Sequence, residues 1–527
     1  MNENKLHRGT LIGVRRPLVF LSLIACLAAS AAPGPIRFKI TLDSEAGKVP
    51  VSGRLFILMS DQADKVERIS TSFVPGGSWI AAMEVEAIRP GESVMLDPDA
   101  QAYPQPFSKA SKGKRQFMAL LDPDHSYAYG GQDAGDLFGP VAQIEVDPAN
   151  TEPVELHLTK ITPPRAKIED TQQIKLVEFQ SKLLSDFWGR PIVMRAGVVL
   201  PPSFLGEPGK TYPAVYIVHG FGGNHTAAWR AGPAAIKEMS EGKRSEMVLI
   251  YLDASLPSGH HVFADSVNNG PWGRALTEEL IPYLEAKYRL IPRSHARFLT
   301  GHSSGGWSTL WLQVAYPDFF GGTWSTAPDS VTFKSFTGID TTPGSKENTY
   351  RNADGAVRNL VRMKGKDVAS FEEFVRQEEV AGPVGGQIAS FDWVFSPRGP
   401  DGRPMKIFNR ATGEQDPFVQ KYWEKYDIKL IVERNWAVLG PKLLGKIYVI
   451  VGSVDNFHLE EAAKMFCAFL ATKGREDACE VVPERDHMNL YQKYDTYPDG
   501  LALRIAKEMQ SSFEKAEAAQ GKKGKRK

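Results

Sequence analysis

Ser303 stands at the centre of Gly301-His302-Ser303-Ser304-Gly305, with a further glycine at Gly306. Residues this small let a chain turn sharply from a strand into a helix and lift a serine hydroxyl clear of the sheet, where it can attack a carbonyl carbon. The flanks fit, because 296–300 is short and strand-like and 307–315 is apolar and of helical length. A glycine-rich turn without chemistry would share the pentapeptide, so the partners decide. Serine is a weak nucleophile until an imidazole takes its proton, and the imidazole needs a carboxylate to hold its tautomer. The run 446–452 reads as a buried parallel strand and is followed by Asp455, the expected acid. The run 480–482 reads as one more strand, and the loop Pro483-Glu484-Arg485-Asp486-His487 places His487, the expected base, just past it. Asp329 competes for the acid role because it follows 323–326, the strand after the serine's helix. Asp455 is preferred, since it follows the next core strand, one strand before His487.

Acyl transfer also needs two N–H donors for the oxyanion. Ser304, the residue after the nucleophile, supplies one. The apolar strand 214–218 runs into His219-Gly220-Phe221-Gly222-Gly223, where glycines allow close backbone approach, and Phe221 is the expected second donor. His219 is read as a structural hydrogen-bonder and not as a base. All these residues fall past the carboxyl ends of strands, where open α/β sheets collect their active groups. The order Ser, Asp, His is that of α/β-hydrolases.

The run from Asn269-Gly270-Pro271-Trp272-Gly273 through Glu279-Leu280-Ile281-Pro282-Tyr283, Lys287-Tyr288-Arg289, the Ser303 motif and Tyr316-Pro317-Asp318-Phe319-Phe320-Gly321-Gly322 resembles the esterase D family. That family includes feruloyl, enterochelin and S-formylglutathione esterases and the mycolyltransferases. The resemblance extends, with gaps, from about Val177 to about Tyr491, and implies an α/β-hydrolase fold with Ser303, Asp455 and His487 as the triad. Around the histidine the family's usual Gly-Gly-His-Asp-Trp ending is replaced by Arg485-Asp486-His487-Met488-Asn489, so His487 rests on its position.

The chain has 527 residues, 42% hydrophobic and 24% charged, which suits two or three globular domains with a sizeable core. Its net charge of +1 hides a split, because both termini are basic and the remainder is acidic, a balance that argues against nucleic acid as a partner. Lys5, Arg8, Arg15 and Arg16, then an apolar run 18–27 and Ala29-Ser30-Ala31, match a secretory leader over 1–31, so a secreted or periplasmic location is expected. The apolar run is too short for a membrane span. Leu23-Ile24-Ala25-Cys26 also resembles a lipobox, which would anchor the chain through a lipidated Cys26. Cys467 and Cys479 would then remain, able to pair in an oxidising compartment or to stay free, with Cys467 on an expected helix.

Short alternating segments (37–42, 53–58, 143–146, 154–158) separated by turn signals predict an all-β sandwich over 33–162, ahead of an α/β-hydrolase domain over 164–515 and a solvated basic tail over 516–527. Tyr127, Tyr129 and Trp79 could bind carbohydrate, with core filling the preferred reading. Every catalytic candidate lies after Pro164, so the β region is expected to be dispensable for small esters. The stretch 333–444 is too long for a plain connection and is read as a lid-like insertion, with helices over 370–379 and 417–426. Its Trp393, Phe418, Tyr422 and Trp423 could line an acyl pocket or pack the insertion itself. The loop 259–266 is expected to border the pocket; its His260, His261 and Asp265 form no known ligand motif, and neither metal nor cofactor is expected. The expected activity is serine ester hydrolysis of a small or carbohydrate-linked ester. An acyltransferase using the same triad, or a binding protein built on a degenerate hydrolase, are the alternatives.

Overall fold

Eight segments, several of them runs of valine, isoleucine, leucine and tyrosine, pair into one sheet in the computed structural model, which describes residues 36–524 apart from 48, 63, 65, 127–132 and 148–151. The strands are β1 (Ile174–Ser181), β2 (Ile192–Val199), β3 (Ala214–Val218), β4 (Val248–Leu252), β5 (Arg297–His302), β6 (Gly322–Thr326), β7 (Ile447–Gly452) and β8 (Cys479–Val482). They lie in the order β1-β2-β4-β3-β5-β6-β7-β8. β2 runs antiparallel to both its neighbours, and every later pairing is parallel. β6 is buried along its whole length because helices cover both faces of a parallel sheet. This is the α/β-hydrolase arrangement, with Ser303 after β5, Asp329 after β6, Asp455 after β7 and His487 after β8. Cys467, on the helix Leu459–Ala471, and Cys479, opening β8, are joined as a disulfide.

The first 160 residues contribute two further sheets. A three-stranded one (Ser93–Leu96, Phe38–Leu42, Val154–Leu158) faces a seven-stranded one whose centre is Gly113–Asp122, Val51–Ser60 and Ser78–Ile88. Between them pack Phe38, Ile40, Leu55, Ile57, Phe117, Leu121, Leu156 and Leu158. Trp79 stands against Phe107 in this layer, as the packing reading expected; Tyr127 and Tyr129 lie outside the described residues, as does the expected leader with Cys26. The strand Val51–Ser60 is not half-buried: its last eight residues are all covered. Its other face packs, through Phe56 and Leu58, on Val380 and Ala381 of the insertion.

The insertion holds a hairpin (Asn359–Met363, Lys366–Ser370) and the helices Phe371–Ala381, Gln387–Phe395, Pro417–Trp423, Ile428–Arg434 and Trp436–Leu443. Ser370 and Glu373 form a reciprocal capping box that fixes where the first helix starts. The basic tail is shorter than expected, because the helix Leu501–Gly524 runs through 516–524. Glu517 pairs with His295 there, which ties the helix to the body; residues 525–527 lie outside the described residues. Among the described residues no helix is long and apolar enough to cross a membrane.

Candidate active site

The turn after β5 carries Ser303 at φ 60° and ψ −127°, a conformation that L-residues avoid. The surroundings enforce it. A Cβ on Gly301 would lie 2.3 Å from the Gly305 carbonyl oxygen, and one on Gly305 would lie 2.1 Å from that of Val218, so the backbones are packed to a distance only glycine permits. The Ser303 N–H donates to the Thr326 carbonyl at 3.1 Å and its own carbonyl accepts from Trp307 at 3.0 Å, which anchors the turn to β6 and to its helix. Gly220 of the expected oxyanion loop lies against the serine, since a Cβ there would be 3.2 Å from Ser303 Cβ. Phe221 follows it in the chain, and Ser304 opens the helix Ser304–Ala315 directly after Ser303.

The acid and base loops are zipped together before their side chains meet. Ser453 N–H donates to Val482 O at 2.9 Å and Val454 N–H to Arg485 O at 3.1 Å, across the close approach at Gly452. Asp455, fully buried, then accepts from His487 Nδ1 at 2.8 Å on one oxygen and from the Phe457 N–H at 2.9 Å on the other. Burial works against its charge, but the His487 imidazole beside it more than compensates, and the carboxyl titrates below its ordinary range. Burial likewise disfavours an imidazolium at His487, yet the Asp455 charge and hydrogen bond, with Asp329 beyond, raise its pKa. With Nδ1–H committed to Asp455, Nε2 keeps its lone pair for a proton acceptor's role.

Asp329 is also in the site. It accepts from Ser304 Oγ at 2.6 Å and from Ser303 Oγ at 3.4 Å, and burial pushes its carboxyl up to about 6. Among the described residues its side chain shares no hydrogen bond with His487, whereas that of Asp455 does. His219 is structural, as expected: Nε2 accepts the Ala254 N–H at 2.8 Å, and Nδ1 donates to Gly220 O at 2.7 Å, bracing the oxyanion loop.

Of the two readings open for the aromatic residues of the insertion, packing holds for Trp423. Trp423 is buried against Phe333, Phe336 and Phe395, with its indole N–H on Ser396 Oγ, and Phe418 is 61% exposed. Neither these two nor Trp393 and Tyr422 line the pocket beside Ser303. That pocket is lined instead by Phe73, Phe374, Phe391, Phe457, Leu360, Ile388 and Leu459. Phe73 comes from the β region, between Val51–Ser60 and Ser78–Ile88, and its ring centroid lies 5.3 Å from Phe374, 5.8 Å from Phe457 and 6.3 Å from Phe221. The β region is therefore part of the site, and no local pattern in its sequence marks Phe73. The loop 259–266 does not border this pocket but supports the insertion, with Ser266 Oγ donating to Trp393 O at 3.0 Å. Its His260 Nε2 bonds to His219 O, His261 stacks on Trp272 at 3.8 Å, and Asp265 accepts the Gly273 and Arg274 N–H groups. His302 was present in the motif but given no role; its ring lies 4.4 Å from that of His487, and burial with that neighbour pushes its pKa down to about 3, so it stays neutral.

Residues 192–370 match the family model described as "Putative esterase". Over those residues the chain is consistent with a putative esterase family. The matched stretch holds Ser303, Asp329 and the oxyanion loop and ends before Asp455 and His487. Similar solved structures include a ferulic acid esterase (16% identity, TM-score 0.39, covering 63% of this chain and 99% of that one). Others are the fluorophosphonate-binding serine hydrolase F of Staphylococcus aureus (13%, 0.37, 64% and 98%) and an S-formylglutathione hydrolase from Agrobacterium tumefaciens (13%, 0.36, 66% and 98%). Comparison with curated protein sequences finds no match.

The two carboxylates of the esterase site are separable by kinetics. Asp455→Asn should lower kcat by roughly ten-thousand-fold, because the imidazole loses its tautomer. Asp329→Asn should cost far less and should move the acid limb of kcat/KM slightly to lower pH, since the lesser of the two charges that raise the His487 pKa is gone. Measured on folded variants, the reverse ranking in kcat would transfer the acid's role to Asp329.

Proposed function

We propose that the protein is a serine esterase working through an acyl-enzyme. Ser303 Oγ attacks the ester carbonyl carbon while His487 Nε2 takes its proton, and Asp455 stabilises the imidazolium. The Phe221 and Ser304 N–H groups receive the oxyanion; as the intermediate collapses, His487 returns the proton to the leaving alcohol. Water, deprotonated by the same imidazole, then attacks the acyl-enzyme and releases the acid. The observation that carries this reading is the His487 Nδ1 to Asp455 Oδ2 bond of 2.8 Å in the site of a strained elbow serine.

Two clefts suggest how an ester would lie. The aromatic pocket of Phe73, Phe374, Phe391 and Phe457 suits an aryl or branched acyl group. The cleft formed by Gly220, Phe221, Asn224, Arg230, His302 and Tyr491 is more polar and suits the alcohol. In this reading the β region is a sandwich domain over 33–162 that completes the acyl pocket. The insertion 333–444 is the lid of a hydrolase domain over 164–515, reaching the residue after the nucleophile through Gln387, whose Nε2 donates to Ser304 Oγ at 3.4 Å. The leader-like start and the Cys467–Cys479 disulfide both favour an exported protein, since such bonds persist in oxidising compartments.

Ser303→Ala should remove about a million-fold of turnover on an activated ester while leaving the unfolding temperature within a few degrees of the parent. Near-normal hydrolysis by the purified variant would exclude the mechanism, and product analysis with added sugar acceptors separates hydrolysis from acyl transfer. Phe73→Ala should lower kcat/KM for aryl esters about tenfold, with a loss that shrinks as the acyl group is reduced to acetyl. An equal loss across the series would mean that Phe73 does not contact the acyl group. Mature protein recovered from cells should begin near Ala32; an acylated Cys26 in its intact mass would replace export in soluble form by lipid anchoring, and a retained Met1 would end the export reading.

A further inference from the structure

Far from Ser303 in sequence, the β region gathers three carboxylates. Asp122 ends the strand Gly113–Asp122, Asp124 lies in the turn that follows, and Asp136 precedes the short strand Leu137–Phe138. That short strand pairs back on the first (Leu121 with Leu137), which brings Asp136 beside Asp122. One oxygen from each of the three lies within 4.8 Å of the other two. Asp122 and Asp136 are 1% and 0% exposed. Asp136 Oδ2 accepts the Asp133 N–H at 2.7 Å, but its buried Oδ1 has no hydrogen-bond partner.

The guanidinium groups on neighbouring segments are committed: Arg54 to Glu84 and to the Val380 and Glu379 carbonyls, and Arg165 to Asp133. An unpartnered oxygen inside a low-dielectric cluster of like charges calls for a cation.

The donor set selects which one. Oxygen-only ligands with no histidine or cysteine among them suit a hard ion and not zinc. Calcium takes its oxygens at about 2.3–2.6 Å, so ligands on one ion stand at most about 5 Å apart, which the cluster already satisfies. We propose that Asp122, Asp124 and Asp136 form a calcium site. The ion fastens the end of the strand hairpin where Gly135 N–H donates to Thr162 O at 3.0 Å and Thr162 N–H to Asp136 O at 2.8 Å, the point at which the β region passes into the esterase region.

The test uses the full mature chain stripped with a chelator, titrated with calcium chloride by calorimetry and followed by thermal unfolding. Calcium should bind at one saturable site and raise the unfolding temperature by several degrees, increasingly so with concentration. Asp136→Asn should abolish both effects, and the stripped variant should be at least as stable as the stripped parent, because a buried charge has been removed. Asp124→Asn, at an exposed position, gives a second variant that should weaken binding without threatening the fold. Absence of calcium binding to the parent, or an unchanged response in both variants, would overturn the site. The same titration on Ser303→Ala keeps this outcome separate from the fate of the esterase reading.

Discussion

The close approach of three backbone segments beneath Ser303 is the constraint on which the rest of the structure depends. β5 enters the turn at Gly301, the helix leaves it at Gly305, and β3 lies against both through Val218. None of these contacts tolerates a Cβ, so the turn cannot relax into an ordinary φ/ψ well while the sheet is intact. The strain at a single serine is thereby held by two parallel strand pairings, β3 with β5 and β5 with β6, whose many hydrogen bonds it cannot break. A serine hydroxyl fixed this way is held in one position above the sheet without reorganisation.

The apolar pocket beside it depends on a different kind of restraint. The helix Phe371–Ala381 ends with carbonyls that no later turn of helix can satisfy. Arg54, almost entirely buried in the β region, donates to the carbonyls of Glu379 and Val380, and Gln101 Nε2 donates to that of Glu379 at 2.9 Å. A guanidinium at a helix carboxyl end also complements its dipole. Further along, Gln377 Nε2 donates to Ser72 O at 2.8 Å, next to Phe73. One helix of the insertion is thus clamped at its end and its middle by the β region. The clamp holds Phe374 and Phe73 at the contact distance that closes the pocket.

What the sequence disclosed follows from the range of the interactions. The elbow, the strands β3 to β8 and the positions of Asp455 and His487 were legible because each rests on a local pattern: small residues at a turn, an apolar run, a polar residue just past a strand. Burial on two faces was not. The strand Val51–Ser60 reads as one half of a sandwich, and only the arrival of Val380 and Ala381 on its outer side explains eight consecutive covered residues. The same long-range packing turned Trp423 inward and left Phe418 in solvent, and it recruited Phe73 across about 300 residues of chain from Phe374. The helix at the end of the chain is masked in the sequence by its basic residues, although its alanine and glutamate content favours helix.

Two carboxylates stand near one imidazole, and their environments separate them. Asp455 has a donor on each oxygen, one of them the imidazole itself, and its charge is favoured despite complete burial. Asp329 has hydroxyl donors only, which bind a carboxylate less strongly than a cationic partner, so burial prevails and its pKa rises to about 6. Opposite shifts in one pocket divide the roles. The firmly ionised Asp455 can stabilise a developing imidazolium throughout the reaction. Asp329, hydrogen-bonded to the Ser304 side chain at 2.6 Å, instead fixes the first residue of the helix that follows the elbow. The carboxyl that ionises readily is therefore the one bonded to the imidazole, and the one that ionises less readily is bonded to the serine hydroxyls at the start of the helix.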